Sequence, residues 1–105
     1  MDIRFSNEFL TAYKRLKKKY RSLQSDFERL LKSLQENPYQ GVEIIDGVWK
    51  VRLSIKAKGK GKSGGARVII RIAIVDDELQ FLYIYDKSEF ANVSDAFLRD
   101  ILSQM

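Results

Sequence analysis

Apolar positions recur at helical spacing through the first third of the chain and at every second position after it. A short extended start, Ile3 to Phe5, is followed by Ser6 and Asn7, either of which can cap a helix. Glu8 falls in that helix's first turn, where the dipole favours an acid. Phe9, Tyr13, Leu16 and Tyr20 form one stripe, while Lys14, Lys17, Lys18 and Arg21 share another face. Ser22 is placed to cap a second helix carrying Leu23, Phe27, Leu30, Leu31 and Leu34, ended by Asn37-Pro38. So little sequence separates the two that an antiparallel hairpin is expected.

Beyond Pro38 the period becomes two. Val42 to Ile45 reads as a strand, and Asp46-Gly47 as a turn. From Trp49 to Lys58, Val51, Leu53 and Ile55 alternate with Lys50, Arg52, Ser54 and Lys56. The segment Lys58 to Gly65 is rich in glycine and lysine and reads as a loop. Ala66 to Val75 resumes as strand, with Val68, Ile70, Ile72 and Ile74 on one face and Arg67, Ile69 and Arg71 on the other. Asp76-Asp77-Glu78 makes a turn, and Leu79 to Asp86 is apolar on both faces, as a central strand would be. A final amphipathic helix runs from its cap Ser94 to Met105, with Phe97, Leu98, Ile101 and Leu102 for packing. The expectation is one α+β domain over residues 1–105, ordered β-α-α-β-β-β-β-α. Its helical hairpin packs on one face of a small, mainly antiparallel, twisted sheet.

That architecture places charge. Pairing two strands that both carry cations at period two gathers Lys50, Arg52, Lys56, Arg67 and Arg71 on one sheet face. An ordinary wet face mixes signs and threonines; this one does neither. The chain has 105 residues and net charge +5, and 14 of its 19 basic residues lie in Lys14–Arg21 and Lys50–Arg71, stretches without any acid. Segregation of this kind is the footprint of a polyanion partner. There is no cysteine and no histidine, which excludes disulfide scaffolds, thiol catalysis, serine–histidine triads and histidine-based zinc hydrolysis. Met1 to Phe9 lacks an apolar signal core, and no apolar run approaches the ~20 residues that span a bilayer. A cytoplasmic protein without membrane contact is expected.

Gly61-Lys62-Ser63 suggests a phosphate-binding P-loop, but Lys56 stands where that motif needs glycine, and strand sequence follows where it needs a helix. Backbone N–H groups around Ser63-Gly64-Gly65 could still form an anion nest. Asp76, Asp77 and Glu78 mean a turn rather than a magnesium site. Acid–base chemistry is therefore left to lysine, arginine, tyrosine and carboxylates. Lysine crowded by cations can act as a base, arginine suits a phosphate's developing charge, and a placed phenol can exchange a proton. This set fits cleavage of RNA by its own 2′-hydroxyl, with no metal or other cofactor.

The stretch Lys58-Gly59-Lys60-Gly61-Lys62-Ser63-Gly64-Gly65-Ala66-Arg67-Val68-Ile69, with Tyr83-Ile84-Tyr85-Asp86-Lys87-Ser88-Glu89 after it, resembles the RelE/ParE superfamily of bacterial toxins, closest to its HigB-like, RelE-type branch. The resemblance implies a RelE-like fold and an mRNA endoribonuclease on translating ribosomes, silenced by a cognate antitoxin protein. It implies that Arg67 contacts the scissile phosphate, that Arg52 and Lys50 bind or activate the RNA, and that Lys87 ends the last strand beside the catalytic face. Lys56 or Lys50 stands open as base, and Tyr85 or Lys87 as acid. Lys56, Lys58, Lys60, Lys62 and Arg71 are further RNA contacts. Ser54, Ser88 and Val93 depart from residues common in relatives, which leaves the base and acid unassigned. Two other functions fit the same charge pattern: a ParE-like poison of DNA gyrase, and a basic nucleic-acid-binding module without catalysis.

Overall fold

The computed structural model describes residues 1–58 and 65–105. In chain order the elements are β1 (Asp2–Phe5), α1 (Asn7–Lys19), α2 (Leu23–Glu36), β2 (Val42–Ile45), β3 (Val48–Leu53), a 3-10 turn (Lys56–Lys58), β4 (Ala66–Ala73), β5 (Glu78–Asp86) and α3 (Asp95–Ser103). The expected α+β order holds. The five strands lie β1-β5-β4-β3-β2, parallel only between β1 and β5, so the apolar β5 is interior as its sequence demanded.

Helix α1 starts where Ser6 Oγ accepts the Phe9 amide at 2.9 Å; the same hydroxyl donates to Leu82 O at 2.6 Å, fixing the helix start against β5. The hairpin's apolar stripes then close on one sheet face. Phe9, Phe27 and Phe81 form a knot of rings with centroids 5.4–5.6 Å apart, over Val51, Val68 and Ile70. Helix α3, capped by Ser94 Oγ on the Phe97 amide at 3.1 Å, packs on the opposite face, where Leu98 and Ile101 meet Val48, Ile69 and Leu82. The face opposite the helical hairpin is therefore shared between α3 and the cations Lys50, Arg52 and Arg67.

Several boundaries differ from expectation. The strand expected over Trp49–Lys58 ends at Leu53, because helix α2 captures the chain. The Asp26 carboxylate accepts the Lys56 amide at 3.1 Å, and Ser22 Oγ accepts the Ala57 amide at 2.8 Å. Ser22 consequently does not cap α2 with its side chain; it donates to Asp26 at 2.7 Å. The next strand stops at Ala73 rather than Val75, and Ile74, expected inside, is 72% exposed beside a turn with Asp77 at φ 52°. On β5, Leu82 is an extra residue opposite the step from Ile69 to Ile70, and it lies on the α3 face.

Gly41 admits no side chain. Its φ is +81°, and a Cβ there would stand 2.1 Å from Lys50 O. Gly41→Ala is expected to lower stability by about 1–3 kcal/mol, seen as a lower urea midpoint at unchanged slope.

Candidate nucleic-acid interface

The antiparallel register of β3 and β4 decides the site. Arg52 is the direct cross-strand partner of Arg67, and Arg67 of Tyr85, giving one row across β3, β4 and β5. Lys50 lies two residues from Arg52, opposite Ile69, so it borders the same row. Direct partners point to one side of a sheet, so both guanidinium groups rise from the α3 face, beyond the part that α3 covers. Lys50, Arg52 and Arg67, with Gly41 and Val42, line a cleft of about 460 Å³.

The cleft is cationic without compensation. Among the described residues no carboxylate pairs with Lys50, Arg52 or Arg67; the acids are engaged elsewhere, as in Arg15–Glu89 at 3.1 Å and Arg4–Glu78 at 3.5 Å. Arg67 is only 7% exposed, and its Nη1 donates to Ala66 O at 3.1 Å. Like charges facing across a sheet repel, and a buried guanidinium without an acid costs more. A phosphate placed there would supply the missing charge, and the planar guanidinium forks are shaped to hold its oxygens in pairs.

The other expected residues divide. Tyr85 is wholly buried, its hydroxyl has no hydrogen-bond partner, and burial raises its pKa against the lowering influence of Arg67, so it stays protonated at neutral pH. Lys87 is exposed in the turn after β5, its amide bonded to Gly65 O at 3.3 Å. Lys56 is exposed on the 3-10 turn, off the strand and outside the lining of the cleft. Lys58 Nζ turns to the hairpin side, 2.9 Å from Asp86 Oδ1 and 5.5 Å from the Tyr20 ring centre. Arg71 pairs with Val48 at the far end of β3, about 13 Å along β4 from Arg67, and reaches toward Gln80 at 3.5 Å. Lys60, Lys62 and the suggested Ser63-Gly64 nest lie outside the described residues.

Sequence reading missed the carboxylate that organises this end of the sheet. Asp86, with a fully buried side chain, accepts from Tyr20 Oη at 2.5 Å, Lys58 Nζ at 2.9 Å, and the Ser88 hydroxyl and amide at 2.7 and 2.9 Å. Lys19 Nζ lies 3.5 Å away. Burial alone would raise its pKa, but the bonds from Tyr20, Lys58 and Ser88 prevail and hold the carboxyl well below the usual range. Both ends of segment 59–64 are thereby tied to Asp86-Lys87-Ser88, through Lys58 on one side and Gly65 on the other. Asn92 was missed as well; its Oδ1 accepts Lys50 Nζ at 3.0 Å.

No helix among the described residues is long and apolar enough to cross a membrane. The family model described as the RelE toxin of the RelE/RelB toxin–antitoxin system matches residues 8–103. No curated protein matches in sequence. In three dimensions the chain is similar to a double arginine-to-alanine mutant of the E. coli toxin RelE in its free state. The TM-score is 0.64 at 11% identity, over 99% of this chain and 96% of that one. It is likewise similar to the isolated E. coli RelE toxin, with TM-score 0.63 at 12% identity, over 99% and 98% of the two chains.

Proposed function

The chain belongs to the RelE toxin family, whose toxins are paired with an antitoxin, and from that membership we propose that residues 1–105 act as one ribonuclease domain cutting mRNA on translating ribosomes. The observation that carries this is the direct facing of Arg52 and Arg67 over an acid-free cleft. A cognate antitoxin is the protein partner; mRNA and the ribosome, and hence the cytoplasm, are the site of action. The sequence from Lys58 to Ile69 favours the HigB-like branch.

The reaction needs no metal. Lys50, the amine bordering the cleft, takes the proton from a ribose 2′-hydroxyl. The freed oxygen attacks the adjacent phosphorus, and the bond from phosphorus to the 5′-oxygen breaks. Lys87 returns a proton to that leaving oxygen. The products are a 2′,3′-cyclic phosphate and a 5′-hydroxyl end. Arg52 and Arg67 hold the non-bridging oxygens as charge develops on them. Lys50 is preferred to Lys56 as base because it lines the cleft; Lys87, which like Lys56 stands outside that lining but is exposed just past the end of β5, is preferred to Tyr85 as acid because burial keeps the phenol's proton bound. The exposed stripe Lys14, Lys17, Lys18 and Arg21 offers ribosomal RNA a second, sequence-indifferent contact.

Induced expression in a bacterial host tests the proposal. Protein synthesis should stop within minutes, with messages cut inside codons and bearing 5′-hydroxyl ends. Broken DNA with intact messages would instead indicate a gyrase poison, and normal growth a binding module.

A further inference from the structure

The sheet has two outer edges, and they differ. Strand β2 forms one, with a register shift between Glu43 and Ile45 that discourages further pairing. Strand β1 forms the other in unbroken register and carries no lysine, proline or bulge. The Asp2 amide donates to Asp77 O at 2.9 Å, and the Ser6 amide just beyond the strand to Phe81 O at 3.0 Å. Even-numbered residues therefore turn their backbone groups toward β5, while Ile3 and Phe5 turn theirs outward. Side chains alternate as well. Ile3 and Phe5 lie on the hairpin side, Phe5 stacked on Phe81 with ring centroids 5.2 Å apart yet 37% exposed. Asp2 and Arg4 stand exposed on the α3 face. There Asp2 is directly opposite Glu78, acid against acid. Arg4 pairs with Glu78 at 3.5 Å, but no cation among the described residues pairs with Asp2.

We propose that β1 pairs antiparallel with β1 of a second copy of this chain, about a two-fold axis at Ile3, joining two five-stranded sheets edge to edge. The strand is complementary to itself in that arrangement. Ile3 faces Ile3, Met1 faces Phe5, and Asp2 faces Arg4 of the second copy. The outward backbone groups of Ile3 and Phe5 fall at the hydrogen-bonded positions. Asp2 and Arg4 fall at the non-hydrogen-bonded ones, where Cα atoms stand only ~4.5 Å apart and side chains meet most closely. Each Asp2 gains the cation it lacks, twice by symmetry. Charge also selects the register. A slip of two residues sets Arg4 against Arg4 or Asp2 against Asp2, and a slip of one mismatches the outward backbone groups. Met1 and Phe5, 46% and 37% exposed, cover one another on the hairpin side. With only four residues a side the contact is small, so the dimer is weak and reversible, with a dissociation constant of roughly 10–100 μM. The Arg52–Arg67 cleft lies two to three strands away, ~10–14 Å, and stays open, so the pairing does not depend on the ribonuclease reading.

Sedimentation equilibrium of the purified protein, from well below to well above that concentration range, is the test. Wild type should pass from the mass of one chain to that of two. Arg4→Asp sets acid against acid at both ends of the contact and should weaken association about tenfold or more. Asp2→Arg, which sets arginine against arginine, should do the same. Combining Asp2→Arg with Arg4→Asp restores opposite charges across the axis and should bring association back to within about threefold of wild type. Both side chains are exposed, so the variants keep the fold, which circular dichroism checks. A single-chain mass at every concentration would overturn the inference and leave β1 open to a strand of a different protein. Dimers that Arg4→Asp does not weaken, or that the exchanged pair does not restore, would overturn it too, by placing the contact elsewhere.

Discussion

Arg67→Ala is expected to lose cleavage by at least ~10²-fold without losing the fold, since on the ribonuclease reading it deletes a preorganised fork aimed at the charge that develops on phosphate. Stability should move the other way from activity, or not at all. Arg67 is 7% exposed, faces Arg52 directly and has no acid beside it among the described residues. Removing it relieves a buried, uncompensated charge, at the cost of the packing its aliphatic stem provides. Melting temperature should therefore stay level or rise while toxicity disappears. Arg67→Lys should fall between, because charge remains but paired hydrogen bonding does not. Toxicity at equal protein level, or an activity loss that follows a drop in melting temperature, would sink the assignment.

Asp86→Ala should have the largest effect on stability. The substitution strands Tyr20, Lys58 and Ser88, donors now turned toward one buried carboxylate, at a cost of about 3–5 kcal/mol. For a domain of this size that is roughly 15 °C or more in melting temperature. The pH dependence has a definite sign. Asp86's pKa is depressed in the folded state, so its contribution is complete above about pH 5 and fades as acid protonates the folded carboxyl. Asp86→Asn should therefore flatten the part of the stability–pH curve below about pH 4, and chemical denaturation at several pH values measures it. An unchanged acid limb would show that Asp86 is not the anchor its contacts describe.

The cation row was legible in the sequence because it depends only on alternation and on adjacent strands pairing. Once Lys50-Val51-Arg52 and Arg67-Val68-Ile69 are neighbouring strands, their faces are fixed. Lys56 failed for the opposite reason. Ile55 keeps its buried place, so the alternating pattern looks unbroken, yet the chain has left the sheet for Asp26 and Ser22, side chains 30 and 35 residues earlier. Asp86 is ambiguous for the same cause: an acid ending an apolar strand usually meets water, and its Tyr20 partner lies 66 residues away. The amphipathic α3 announces that it packs, but not on which side of the sheet. Contacts this far apart in sequence leave no periodic trace.

The parallel pairing of β1 with β5 also sets a timetable. Asp2 to Phe5 find their partners only in Glu78 to Phe81, and the hydroxyl that starts α1 is bonded to a carbonyl 76 residues further on. During vectorial synthesis the first strand must wait, unpaired, until β5 has emerged. Tyr20 waits 66 residues for Asp86, and Lys58 waits 28. On the ribonuclease reading, a nascent chain therefore lacks the Arg67–Tyr85 row until β5 has emerged, which leaves an early-binding protein that interval in which to act.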